Sequence, residues 1–193
     1  MKTIATILFL FFVTTTFSQD SVVEYYNEIA GKSEYGDTSH VLAKWKDNVK
    51  IYFDFDDSDT IRKYSEEVIK DLNDLIDPIT ISIVDKKSDA NLFIYCGTFD
   101  EYKKRYNIVI DGKFLGFTCT NFYNNTIYRG YVFISRRPKG DELKSVIREE
   151  ITQSFGLTND SWKYPESIFF QGSNLNTEFS NIDKEIIKLH YNK

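Results

Sequence analysis

Residues 148–161 read REEITQSFGLTNDS, and the spacing within this stretch decides how the rest of the chain is read. On a helix at about 100° per residue, Leu143, Ile147, Ile151 and Phe155 form one apolar stripe. Val146, Glu149, Glu150 and Gln153 run along one edge of that stripe. A helix over 141–155 is expected, capped by Asp141 after the breakers Pro138 and Gly140 and stopped by Gly156. Two carboxylates and an amide beside an apolar stripe are costly to bury unless they are hydrogen-bonded or open into a cleft. The bland reading is a solvated helix edge, where charges ordinarily sit.

Working towards the N-terminus, 127–135 and 114–123 read as two antiparallel strands flanking Asn124-Asn125. Ile108-Val109-Ile110 meets Asp111-Gly112, a two-residue turn signal that suggests a further hairpin. Lys103, Lys104 and Arg105 form a short basic run, expected on a solvated turn. Residues 92–95 read as a strand, as do Ile79, Ile81 and Ile83. Asp57-Ser58-Asp59 suits a helix N-cap before Ile61, Tyr64, Val68, Leu72 and Leu75, and Asp77-Pro78 ends that helix. Val49, Ile51, Phe53 and Phe55 alternate with polar neighbours, as a strand does. A loose lead-in with a surface helix over 22–30 comes first. Beyond 157–178, which reads as irregular, Ser180 or Asn181 caps a last helix over 182–190. The fold class expected is α/β (α+β): a twisted mixed sheet, the helix over 141–155, and a C-terminal helix.

Composition narrows the function classes. The 193 residues are 16% aromatic and 27% charged, with 3 Pro, which is a globular profile. A formal charge of -5 argues against a nucleic-acid binder, which needs a basic face for phosphates. With 2 His and 2 Cys, a three-His zinc site and a Cys cluster are both excluded. Asp54, Asp56, Asp57 and Asp59 have a calcium-loop look, but Ser65 stands at the twelfth position and no Gly at the sixth. Ser154 or Ser167 with His190 lacks a nucleophile elbow.

Residues 1–18 read as a signal peptide: Lys2, an apolar run over 4–13, then small residues with Thr16 and Ser18 at -3 and -1 of a cut before Gln19. About ten apolar residues are too few to span a bilayer, and no later stretch is longer, so no membrane span is expected in the mature chain. The expected organisation is 1–18 signal peptide, 19–44 lead-in and 45–193 a single domain, secreted or periplasmic and of bacterial type. In an oxidising compartment Cys96 and Cys119 are expected to pair, and the loop so closed is worth about 3 kcal/mol in the chain-entropy model.

Zinc metalloproteases carry His-Glu-x-x-His on a helix, with two ligands on one face and the Glu between them as general base. In the metzincin type a Gly follows three residues on, and a third ligand three further. Here the same frame reads Glu149, Glu150, Gln153, Gly156 and Asn159. The stretch resembles that motif with the catalytic Glu position and the Gly kept and all three ligand positions lacking His. The order of strands and helices before it is similar to the zincin fold, which is mostly parallel with an antiparallel edge strand. Met is absent after residue 18, so Ile168 or Phe169 would stand where metzincins place a Met turn. Gly156-Leu157-Thr158-Asn159-Asp160-Ser161, Pro165-Glu166-Ser167-Ile168-Phe169, Trp45 and Asp89-Ala90-Asn91-Leu92 resemble a family of secreted bacterial proteins of unknown function with Glu-Glu-x-x-Gln at this place.

The resemblance implies a zincin-like protein without the zinc-binding histidines: a pseudo-metalloprotease or cleft-binding protein for an unknown peptide or small ligand. Glu149, Gln153, Asn159 and Asp160 would line the cleft, bounded by 167–169. Glu149, Gln153 and Asn159 offer one charge and three oxygen donors, so no zinc and no cofactor are expected, and a weak calcium or magnesium contact at most. Two other readings stay open. One is an active hydrolase with Glu150 as general base and a non-standard metal or none; the other is a structural secreted domain.

Overall fold

The computed structural model describes residues 17–30, 42–55, 59–109, 112–173 and 175–192. The expected signal-peptide core, His40, the Asp56-Asp57-Ser58 part of the cap cluster and Ile110-Asp111 lie outside the described residues. The elements run α1 Gln19–Ala30, β1 Lys44–Trp45, β2 Val49–Phe53, α2 Asp59–Leu75, β3 Ile81–Ile83 and β4 Leu92–Gly97. They continue α3 Phe99–Tyr106, β5 Gly116–Tyr123, β6 Thr126–Ser135, α4 Gly140–Gln153 and α5 Asn181–Tyr191.

The sheet is a parallel set closed by one antiparallel strand. β3, β2, β4 and β6 lie side by side and parallel. β5 pairs antiparallel with β6, and the two-residue β1 pairs parallel with the start of β6. Every residue of β4 is buried, as expected of a parallel strand covered on both faces. On one face Ile94, Val132 and Ile134 join Ile147 and Ile151 of α4 and Val68 and Leu72 of α2 in the main core. On the other, Tyr95, Phe117 and Phe133 pack with Tyr102 of α3 in an aromatic layer. Full burial of each large apolar side chain contributes about 1.5–3 kcal/mol, so these two layers set the sheet's position.

Local chemistry accounts for the element ends. Asn124 and Asn125 both take left-handed φ (49° and 60°), the geometry of a two-residue hairpin turn. α5 opens with a capping box in which the Ser180 side chain accepts from Asp183 N and the Asp183 side chain accepts from Ser180 N. α3 has the same device in Thr98 and Glu101. The sequence reading missed α3, and Lys103, Lys104 and Arg105 are its last turn, where cations suit the helix dipole. The hairpin expected at 108–112 is not formed by its described residues: Ile108 and Val109 pair with no strand, and Val109 is 96% exposed. The cap of α4 also differs from expectation. Lys139 occupies the N-cap without a side-chain bond, and Asp141 sits inside the first turn, favouring the dipole by its charge alone.

The expected disulfide is absent: Cys96 and Cys119 are both free. Cys96 on β4 is in register with Ile134 of β6, whereas Cys119 on β5 is in register with Tyr131. β6 lies between the two strands, and residues 131 and 134, three apart, point to opposite faces of the sheet. Cys96 is therefore in the main core and Cys119 against the aromatic layer, too far apart to bridge. Thiol titration of the unreduced chain in denaturant is expected to count two thiols; a count of zero would contradict this register.

Gly156 follows α4 with φ 98°, and a Cβ there would run into the Ala43 carbonyl oxygen and approach His190 Nε2 to 2.9 Å. Gly156→Ala is expected to cost about 3 kcal/mol or more in chemical denaturation, from backbone strain plus overlap with a main-chain atom. A loss below about 1 kcal/mol would mean that the turn relaxes freely.

Candidate functional site

α4 turns the expected face inward. Leu143, Ile147, Ile151 and Phe155 are all buried, and the polar edge lies where the stripe meets β5. Glu150 is only 8% exposed. Thr118 Oγ1 lies 2.8 Å from Glu150 Oε2 and 2.7 Å from the Glu150 carbonyl oxygen, a bifurcated donor from β5 to α4. Gly116 allows this approach, because a Cβ at that position would overlap the Glu150 side chain. Tyr102 of α3, whose hydroxyl donates to Tyr131 O at 3.1 Å, is held protonated by burial, with Cys119 and Glu150 adding to the effect.

Of the three positions matching metal ligands, Gln153 and Asn159 take different partners. Gln153 is 6% exposed, and its Nε2 donates to Asp160 Oδ1 at 3.1 Å. Asn159 faces the end of α1 instead. Its side-chain Nδ2 donates to Glu28 O (3.1 Å) and Asp160 O (3.0 Å), and its backbone N donates to Ile29 O at 3.1 Å. Asn159 thus caps the C-terminal carbonyls of α1, which a helix leaves without intrahelical partners. Glu149 is half-buried on the same edge of α4 as Gln153. No group of three or more His, Cys, Asp or Glu suited to a metal ion occurs among the described residues. One carboxylate and two amides offer oxygen donors alone, and amide oxygens are weak, hard ligands, so this set does not fit zinc.

Nor do residues 167–169 bound a cleft as expected. Ser167, Ile168 and Phe169 are fully buried. Tyr25 Oη donates to Ser167 Oγ (2.7 Å), and Ser167 Oγ donates to Asp183 Oδ1 (2.5 Å). Asp183 Oδ2 accepts from Ile168 N and from Ser180 N and Oγ. Burial pushes the Asp183 carboxyl above its ordinary value, and these donors pull the other way. The arrangement joins α1, the 167–169 segment and α5 through the buried Tyr25, Ser167 and Asp183 side chains.

Sequence reasoning missed what holds the end of α4. Trp45 Nε1 donates to Ser154 O (2.9 Å) and Tyr191 Oη to Phe155 O (2.8 Å). His190 Nε2 is 3.2 Å from Phe155 O, and its Nδ1 is 3.0 Å from Tyr26 Oη. A carbonyl only accepts, so Nε2 carries the proton and Nδ1 accepts from the Tyr26 hydroxyl. By spacing alone His190 reads only as a partner for a nucleophilic Ser. The available signal is its place one residue from the end of an amphipathic helix, on the buried side.

The arrangement of sheet and helices is also found among solved structures. "Structure of myroilysin" is similar at 10% sequence identity and a TM-score of 0.50, covering 78% of this chain and 96% of that chain. "Crystal structure of myroilysin" covers 92% and 98% at 10% identity, with a TM-score of 0.48. At this identity the likeness shows the fold alone, which is zincin-like. No curated protein sequence matches this chain. A family model described as "Protein of unknown function (DUF2927)" matches residues 19–193, and the chain belongs to that family.

His190 gives the site a pH signature. Burial, with the Lys44 charge adding, lowers its pKa from 6.5 to about 4. The unfolded chain takes up the proton near 6.5 and the folded chain only near 4. The stabilisation is therefore fully present above pH 6.5 and is lost as pH falls through the window from 6.5 to 4. The loss at the bottom of that window is about 3 kcal/mol. In urea titrations from pH 7.5 to 4, His190→Gln should flatten that part of the curve, and an unchanged pH slope would show that His190 is not the group responsible.

Proposed function

We propose that this is an exported zincin-fold protein that binds a peptide or small ligand beside α4 and does not hydrolyse it with zinc. The observation that carries the reading is the Gln153–Asp160 hydrogen bond. It occupies the second ligand position of a zincin frame with an amide tied to a neighbouring carboxylate, while Asn159 at the third position serves α1. Export is supported by the signal-like pattern of residues 1–18, by α1 beginning at Gln19, and by the family match beginning at the same residue.

Glu150 is the group that a hydrolase reading would need. Its carboxylate is nine-tenths buried under β5 and engaged by Thr118, a poor position for taking a proton from a nucleophilic water until β5 moves. The mature chain, purified without tag or added metal, is expected to carry no stoichiometric zinc by elemental analysis. In competition with a chromogenic chelator it should bind zinc no more tightly than about 10 μM. It should leave unfolded casein intact. Stoichiometric zinc together with proteolysis abolished by Glu150→Gln would overturn the proposal and establish the hydrolase reading.

A further inference from the structure

At the end of α4 away from Gln153, about 20 Å along the helix, a recess of about 310 Å³ lies at the carboxyl ends of β4 and β6. Cys96 of β4, Ser135 of β6, Thr60 of α2, and Arg136 and Lys139 of the β6–α4 connection line it. No carboxylate is among its lining residues. In open parallel sheets this edge is where ligands ordinarily bind.

Ser135 is the first sign. It is 5% exposed and lines the recess, and its Oγ accepts from Arg137 N at 3.2 Å, which leaves the hydroxyl proton available to a group bound there. The second sign is charge. Burial pushes the Cys96 thiol up, and Arg136 and Lys139 pull it back, so both cations act on the floor of the recess. No acid lines the recess. Glu101, engaged by Thr98 and Tyr95, acts on Arg136 from outside it, and Arg136 also hydrogen-bonds the Cys96 thiol; Asp59, Asp141 and Glu142 belong to the first turns of α2 and α4. Two cations and a hydroxyl donor around one small volume match an oxyanion with several acceptor oxygens.

We propose that this recess binds an oxyanion of the phosphate class, with Arg136 and Lys139 supplying charge and the Ser135 hydroxyl donating a hydrogen bond. The site is independent of the cleft reading and stands whether or not that reading holds. Free phosphate and a phosphate monoester share this chemistry, and the recess is large enough for either.

The test titrates the full mature chain, in phosphate-free buffer, with inorganic phosphate and separately with glycerol 3-phosphate. Calorimetry is done at fixed ionic strength with chloride as the control. Saturable binding with a Kd below about 10 mM is expected for at least one of them. Tighter binding of the ester would identify an esterified ligand, and equal or tighter binding of phosphate the free anion. Arg136→Ala and Lys139→Ala should each weaken binding about tenfold, since each removes a charge-assisted contact. Lys163→Ala, which lies outside the recess, should leave it unchanged. Both changed positions are exposed, so circular dichroism should report an intact fold. As a second readout, bound anion should slow alkylation of Cys96 and leave Cys119 unaffected. No saturable binding of either probe, or equal affinity in the Arg136→Ala/Lys139→Ala double variant, would overturn the proposal.

Discussion

Two carbonyls just past α4, Ser154 O and Phe155 O, hold the molecule together. The last carbonyls of α4 itself are met locally, Ile151 O by Ser154 Oγ, Thr152 O by Phe155 N and Gln153 O by Gly156 N, but the two buried carbonyls that follow must find donors elsewhere. Here the donors come from two distant parts of the chain: Trp45 at β1, and His190 and Tyr191 at the end of α5. Each bond contributes only about 1 kcal/mol net, but leaving one buried carbonyl unpaired costs more than that. The same knot is drawn tighter by Lys44, which donates to His190 O at 2.7 Å, and by Tyr191, which accepts from Trp45 N. Gly156 lets the chain leave α4 directly over Ala43. Once this end is fixed, the rotation of α4 about its axis is fixed too, and so is the face that meets β5.

That rotation decides what the polar edge can do. Glu150 is carried under β5, where Thr118 meets it and Gly116 makes room. Gln153 is carried to Asp160, and the departing chain brings Asn159 to the end of α1. α4 and the turn that follows it are tied by hydrogen bonds shared among α4, α1 and the 157–161 segment. The buried Tyr25–Ser167–Asp183 chain, closed by the Ser180 capping box, does for the 167–169 segment what a close-packed turn would do. Glu150, Gln153 and Asn159 thus each make hydrogen bonds inside the fold.

The two faces of the sheet explain the cysteines and α3 together. An oxidising compartment makes pairing the natural expectation for two Cys, but the pleat puts Cys96 and Cys119 on opposite faces with β6 between them. The aromatic layer that receives Cys119 is roofed by α3, a helix of eight residues with three basic residues in its last turn. In so short a stretch a charge run hides the helical period, and the Thr98–Glu101 capping box was the legible signal.

The sequence by itself determined the apolar stripe of α4, the alternation of β2, the Asn124-Asn125 hairpin and the Ser180 start of α5. Each is a local property, set by a side-chain period or by the backbone preference of a few residues. It also determined that a three-histidine site cannot be built from 2 His, which is a matter of composition. Only the tertiary structure decided which partners the polar residues take. Gln153 pairs with Asp160, and Asn159 with Glu28 O, because the hydrogen-bonding capacity of an amide is the same in every context. Which partner it meets depends on how helices far apart in the chain are brought together, and no spacing along one segment carries that information.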